Sequence, residues 1–301
     1  MNQSRSVRVL LCILLLAVAL CAQPLPMKPG DKLYLGFLDD AREEMVNWKP
    51  GVARQRVVRL AFERNISGWR PANSLPLPPR MKWTIAFNGR NLGQVESQPD
   101  PDGGLTTFQT ILTPAAAVPH VGSPSEQFAG IMGMTTKVRR PLVAVSKPYF
   151  QDPDGWKRTK LSPEMGGLVR KAFRREFPHV DRCKDEEIVA RNWNFPDSAL
   201  PLAVAYASNK HSFLVEADLS AGDCGYVDEP DDPLSNPWFF VSPDGVVRRI
   251  GSFMSLLDAG DYDSDGQSEV VFFLSQGENT DGFVLFDATF GKPVSFTWSY
   301  H

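Results

Sequence analysis

The residues best suited to chemistry form a short acidic stretch near the carboxyl end of the chain. Asp261, Asp263 and Asp265 alternate with other residues, Gly266 follows where a sharp turn needs it, and Glu269 comes shortly after. A hard cation such as Ca²⁺ takes about six to eight oxygen ligands, and alternating side chains can supply most of them. Carboxylates this close repel one another unless a cation neutralises them. The predicted ligands are the side chains of Asp261, Asp263, Asp265 and Glu269 and the backbone carbonyl of Gln267.

The residues that follow the acidic stretch indicate which kind of loop it is. Val270–Leu274 is a run of β-branched and aromatic residues, which predicts a buried strand. A helical calcium loop would carry glutamate at its twelfth position, where this chain has Phe272. We therefore expect a strand–loop–strand turn with a static, structural ion. The alternative is a solvated acidic turn that binds no ion.

The same stretch resembles the calcium-binding turn of FG-GAP or VCBS repeats, which form the blades of integrin-type β-propellers. The resemblance covers about one repeat, residues 255–290. It implies that the cofactor is Ca²⁺ and that the fold is an antiparallel, propeller-like one. It also implies that the ion is held by Asp261, Asp263, Asp265, Gln267 and Glu269.

The amino-terminal residues have the parts of a secretory signal peptide. Arg5 and Arg8 are positively charged, Val9–Leu20 is apolar, and small residues ending at Ala22 offer cleavage points. The apolar run is too short to span a membrane comfortably, and no later run is longer. We therefore expect 1–22 to be removed and the remainder to be periplasmic or extracellular. A lipoprotein acylated at Cys21 is the alternative, which the bulky residue before that cysteine disfavours.

The charge of the chain limits its partners. The formal net charge is −3, and the signal segment contributes arginines but no acidic residue, so the exported chain is more acidic still. No basic stripe remains that would follow a phosphate backbone. We therefore expect an extracytoplasmic protein or a glycan as partner, and no nucleic acid.

Two cysteines remain after removal of the signal, Cys183 and Cys224. In an exported protein such a pair predicts one disulfide. Two free buried thiols are the alternative. A metal site is disfavoured because neither cysteine has a second cysteine or histidine at ligand spacing.

No motif with a known catalytic mechanism is present, and none of the histidines stands in one. We therefore expect a non-catalytic binding or scaffold protein. The alternative is a secreted hydrolase acting on polysaccharide or peptide, with catalytic acids in acidic loops such as 223–232. A pocket with two carboxylates that hold no metal would favour the hydrolase.

The segments around these residues predict a single, mainly β domain over 23–301. Alternating apolar residues predict antiparallel strands, Asn88-Gly89 predicts a tight hairpin, and a capped amphipathic pattern predicts a helical insertion near 162–177. Asp39 or Asp40 is expected to cap a short helix. Asp152-Pro-Asp154-Gly155 echoes the acidic stretch, as a plain turn or a decayed repeat. We also expect the first strand (33–38) and the last (294–300) to lie close together.

Overall fold

Antiparallel strands dominate the described part of the chain. The computed structural model describes residues 28, 31–40, 56–72, 78–99, 107–120, 140–148, 150–177, 179–180, 191–192, 197, 200–217, 237–275 and 280–299. The strands are β1 (Leu33–Asp40), β2 (Arg56–Asn65), β3 (Gly68–Pro71), β4 (Met81–Phe87), β5 (Arg90–Pro99), β6 (Phe108–Ile111), β7 (Leu142–Val145), β8 (Lys157–Arg158), β9 (His179–Val180), β10 (Arg191–Asn192), β11 (Leu202–Ala207), β12 (Phe213–Ala217), β13 (Trp238–Val241), β14 (Val247–Gly251), β15 (Met254–Gly260), β16 (Glu269–Ser275), β17 (Thr280–Phe286) and β18 (Val294–Ser299). The helix is α1 (Pro163–Glu176), and a 3-10 turn spans Ala115–Ala117.

Several predictions from the sequence fall on residues outside these ranges. They are the signal segment and Cys21, the short helix after Asp40, Cys183 and Cys224, and the acidic loop 223–232.

The amino-terminal strands close into a barrel. β1 pairs with both β2 and β7, and the ring continues through β4, β5 and β6 back to β2. β6 pairs with the first half of β2, and β3 pairs with residues 62–65 at the end of β2, outside the ring. Trp83, Leu38 and Leu60 are buried in one apolar cluster with other residues of these strands. The Trp83 indole N–H donates to Ser97 Oγ at 2.7 Å, so this core satisfies its polar group.

Two further sheets stack on the outside of this barrel. The four-stranded sheet β15–β16–β17–β18 contacts the barrel through Phe283, whose ring stacks on Phe37 with centroids 3.7 Å apart. Its other face packs on the five-stranded sheet β14–β13–β12–β11–β8, where Phe272 meets Trp238 edge-on at 5.1 Å. β16 is thus covered on both faces, which explains why its sequence is a continuous apolar run rather than an alternating one.

The helix covers the outer face of the five-stranded sheet. Ser162 caps it by accepting the Met165 N–H at 3.2 Å, and Pro163 occupies its first position, as predicted. Val169 and Phe173 pack on β12 and β13 residues. Among the described residues, no helix has the length and apolar character needed to cross a membrane.

One expectation differs from the structure. Asp39 does not cap a helix, because β1 runs on past it and pairs Asp39 and Asp40 with Val57 and Arg56 of the longer β2. Pairing with β2 thus prevails over local capping at Asp39, and the helix expected after Asp40 lies outside the described residues.

The propeller-like arrangement is not shown by the described sheets, since they differ in strand number and one of them closes into a barrel. β1 and β18 do share a core, through Phe37, Phe283 and Phe296, but they belong to different sheets.

Candidate metal centre and the cleft beside it

The acidic turn between β15 and β16 brings three carboxylates together. One carboxylate oxygen from each of Asp261, Asp263 and Asp265 lies within 4.8 Å of the others. Two oxygens bound to one Ca²⁺ at about 2.3–2.6 Å stand at most about 5 Å apart, so these donors fit a single ion. The Asp261 and Asp263 side chains are buried and Asp265 is exposed. The cluster can therefore hold a metal ion, and it is not a fully solvated acidic turn.

Backbone N–H groups orient these carboxylates. The Asp265 N–H donates to Asp261 Oδ1 and to Asp263 Oδ1, both at 3.0 Å, and the Gly266 N–H donates to Asp261 Oδ2 at 3.1 Å. Ser264 and Gly266 have left-handed φ values of 64° and 86°, which turn the chain sharply enough to make these bonds. Convergence of the aspartates is thus a property of the backbone turn, as their spacing predicted.

The other two predicted ligands stand beside the three-aspartate group. Glu269 is buried at the start of β16, and its Oε2 accepts the Tyr262 N–H at 2.7 Å. Burial above all, and then the nearby Asp263 charge, raises the pKa of Glu269 well above its usual value. Gln267 is exposed, and its N–H donates to Asp265 Oδ1 at 2.8 Å.

Two cations from the barrel end of the molecule reach the turn. Arg64 Nε, at the end of β2, donates to Asp263 Oδ2, and Lys147 Nζ, after β7, donates to Ser264 Oγ. Burial lowers the pKa of Lys147, and the turn's carboxylates oppose that shift. Neither residue was identified from the sequence, because each lies more than a hundred positions from the turn.

Counting formal charges, the four carboxylates of Asp261, Asp263, Asp265 and Glu269 face two cations, Arg64 and Lys147. Two negative charges are left in excess when all four carboxylates are ionised, which requires Glu269, whose pKa is raised by burial, to give up its proton. A single divalent cation would neutralise that excess.

The predicted turn at Asp152–Gly155 is hydrogen-bonded to the acidic turn. The Asp261 N–H donates to the Gln151 carbonyl at 2.7 Å, and Ser268 Oγ donates to Asp152 Oδ1 at 2.6 Å. Ser268 Oγ also accepts the Asp154 N–H at 3.1 Å. Among the described residues this segment adds no second metal cluster, and its hydrogen bonds brace the acidic turn.

A cleft of about 610 Å³ lies beside this brace. The β4–β5 hairpin tip forms one wall, Asp152–Arg158 another, and parts of β11 and β15 the remainder. Asn88 and Gly89 at the tip have φ values of 48° and 69°, the two left-handed residues expected of the predicted tight hairpin.

Asp258 of β15 lines the cleft and is buried. Its Oδ1 accepts the Asn88 N–H at 2.9 Å and lies 3.8 Å from an Arg140 nitrogen, while its Oδ2 has no hydrogen-bond partner. Burial raises the pKa of Asp258 to about 6, against the opposing effects of Arg140 and the Asn88 N–H. Sequence reasoning missed this residue, whose only signal was an acid within a largely apolar strand.

Comparison with known proteins adds no family. No protein-family model, curated protein or solved structure matched the chain.

Proposed function

We propose that this is an exported, non-catalytic binding or scaffold protein in which Ca²⁺ braces a stack of antiparallel sheets. The convergence of Asp261, Asp263 and Asp265 where three parts of the fold meet carries the proposal. Arg64 and Lys147 reach the turn from the barrel, and Gln151 reaches it from the segment before α1. An ion held here ties these parts to β15 and β16.

The ligands we propose are Asp261, Asp263, Asp265, the carbonyl of Gln267, and Glu269. Their oxygens are the donors that Ca²⁺ prefers, and the ion would supply the positive charge that Arg64 and Lys147 leave lacking. The site is structural because β16, which follows it, is buried on both faces and cannot swing as a helix does in a calcium sensor.

The sheet β15–β18 fits an FG-GAP or VCBS unit. Its strands follow one another in chain order, and the acidic turn joins the first two. We propose that it corresponds to one blade-like repeat of that family, as part of a propeller-like arrangement. The expected export, the Cys183–Cys224 disulfide, and the protein or glycan partner remain proposals from the sequence.

Calcium should raise the melting temperature. For a dissociation constant of about 10⁻⁴–10⁻³ M, 1 mM Ca²⁺ contributes about 0.4–1.4 kcal/mol, or roughly 1–5 °C in a chain of this size. Differential scanning calorimetry of the exported chain in chelator and in Ca²⁺ measures this shift. Identical curves in the two conditions would contradict the proposal.

A matched pair of variants tests the ligand assignment. Asp263→Ala should abolish the calcium shift because it removes a ligand and the partner of Arg64. Asp244→Ala removes an acid from the exposed β13–β14 turn and should keep the shift. An Asp263→Ala protein still stabilised by Ca²⁺ would mean that the ligands are wrongly assigned.

A secreted hydrolase is the second candidate, and one observation favours it. Asp258 and Asp152 both line the cleft and neither is in the three-aspartate group. A carboxyl group whose pKa is about 6 can act as a general acid near neutral pH. Release of reducing ends or amines from a polysaccharide or peptide, abolished by Asp258→Asn, would establish this function instead.

A further inference from the structure

We infer that the cleft beside the acidic turn binds an acidic saccharide, with Asp258 accepting a sugar hydroxyl and basic residues at the rim contacting its carboxylates. The inference rests on the proposed binding function and names its ligand class. It does not depend on the ion in the acidic turn.

The lining of the cleft contains a hydrogen-bond acceptor that has no donor. The Asp258 side chain is 3% exposed, and its Oδ2 has no hydrogen-bond partner. An unpaired buried carboxylate oxygen destabilises the folded protein, and such groups persist where a ligand supplies the missing donor. The oxygen is closed to solvent, so we expect a side-chain shift on binding, as is common at binding sites.

The rim is basic although the protein as a whole is acidic. Arg90, Lys157 and Arg158 are exposed in the lining, and the half-buried Arg140 also lines the cleft. The acidic residues of the lining are Asp258 and Asp152, and Asp152 already accepts hydrogen bonds from Ser268, Gly155 and Trp156. In a chain with a net charge of −3, this excess of cations favours an anionic ligand.

The aromatic lining favours a sugar among anionic ligands. Phe87, Trp156 and Tyr206 are half-buried in the lining, with apolar surface against which a sugar ring can pack. Trp156 Nε1 is a buried donor without a hydrogen-bond partner. A hydroxyl group both donates and accepts, so a polyhydroxylated ligand can satisfy Asp258 Oδ2 and Trp156 Nε1 alike. The volume of about 610 Å³ lies within the usual range for small-ligand sites, about 300–1,000 Å³.

Isothermal titration calorimetry with three probes tests the inference. A short oligogalacturonate should bind, whereas a neutral oligosaccharide of equal length and an oligoglutamate peptide should bind at least about tenfold more weakly. The neutral probe lacks the charge that the rim recognises, and the peptide lacks the hydroxyl groups. Failure to bind the uronate, or equal binding of either other probe, would overturn the inference.

Two variants locate the binding in the cleft. Asp258→Asn and the double variant Lys157→Ala/Arg158→Ala should each weaken oligogalacturonate binding about tenfold, the loss expected from one or two charge-assisted contacts. Lys171→Ala/Arg175→Ala, which removes the same charge from the exposed side of α1, should leave affinity within about twofold. Unchanged binding by both cleft variants would overturn the inference.

The outcomes also separate the cleft from the proposed function. Cleavage of the oligogalacturonate would keep the cleft as the saccharide site and show that the protein is an enzyme. A calcium-stabilised protein that binds none of the probes would keep the structural ion and overturn the cleft.

Discussion

Asp258 is a carboxyl group that the fold buries but pairs only in part. Its folded pKa of about 6 exceeds the value of about 3.8 for a free side chain, mainly because of burial. Arg140 and the N–H groups of Asn88 and Ala259 oppose the rise, while Asp152 adds to it. The folded protein therefore keeps a proton that the unfolded chain loses between about pH 4 and pH 6. Stability from this group is fully present below about pH 4 and is lost as the pH rises through 6, by about 3 kcal/mol.

Replacing this carboxyl group should remove that pH dependence. We expect Asp258→Asn to gain stability relative to the natural protein as the pH rises from 4 to 7, by up to about 3 kcal/mol, since the amide cannot ionise. Urea unfolding of both proteins at several pH values measures the difference. A difference that does not change with pH would mean that Asp258 is already ionised and well paired at pH 4.

At the scale of elements, one serine side chain joins the acidic turn to the segment before α1, beside the backbone hydrogen bond from Asp261 to Gln151. Ser268 is buried, donates to Asp152 and accepts the Asp154 N–H, so it joins β16 to the wall of the cleft. The hairpin tip is joined to β15 in a similar way, by the Asn88 N–H on Asp258. The hydrogen bonds of Ser268 and the Asn88–Asp258 hydrogen bond each connect segments that are not paired in one sheet. Both therefore depend on how the sheets stack.

The serine joint can be broken without changing the metal ligands. Ser268→Ala should lower the free energy of unfolding by about 1–3 kcal/mol, because it leaves the buried Asp154 N–H without its acceptor and removes one of the hydrogen bonds to the Asp152 carboxylate. Ser295→Ala, on the exposed side of β18, should cost less than about 0.5 kcal/mol and serves as the control. Equal effects of the two substitutions in chemical denaturation would show that the joint contributes little.

At the scale of the whole molecule, the candidate metal centre lies where the barrel, the four-stranded sheet and the Gln151–Gly155 segment meet. Layers of different strand number stack here, with β16 enclosed between neighbours on both faces. Removal of Ca²⁺ from this junction would leave the carboxylates of the acidic turn to repel one another, with only the partly buried cations beside them. Local opening should therefore begin at the junction rather than within the barrel.

Hydrogen exchange should reveal this uneven response. Chelation of Ca²⁺ should speed amide exchange in 150–156 and 261–269, whose backbone groups are tied to the acidic turn. Amides of β4, enclosed in the barrel ring, should exchange at unchanged rates. Mass spectrometry of peptides after deuterium labelling resolves the two regions. Uniform acceleration, or none, would contradict a local bracing role for the ion.

Much of the local structure could be predicted from the sequence. The Asn88-Gly89 hairpin, the capped helix α1 and the strand after the acidic turn are all found, because each depends on residues a few positions apart. Asp39 shows the limit of such reasoning. Its local capping preference was outweighed by pairing with β2, which the neighbouring residues do not encode.

The sequence alone determined the spacing that turns three aspartates toward a common point, since the backbone of one short loop suffices to aim them. Only the tertiary structure decided which charges face that point and where a ligand could bind. Arg64 and Lys147 meet the acidic turn, and Asn88 meets Asp258 in the cleft, across separations of 117 to 199 residues. Contacts over such distances depend on barrel closure and sheet stacking, which are set by burial of the whole core rather than by any local pattern.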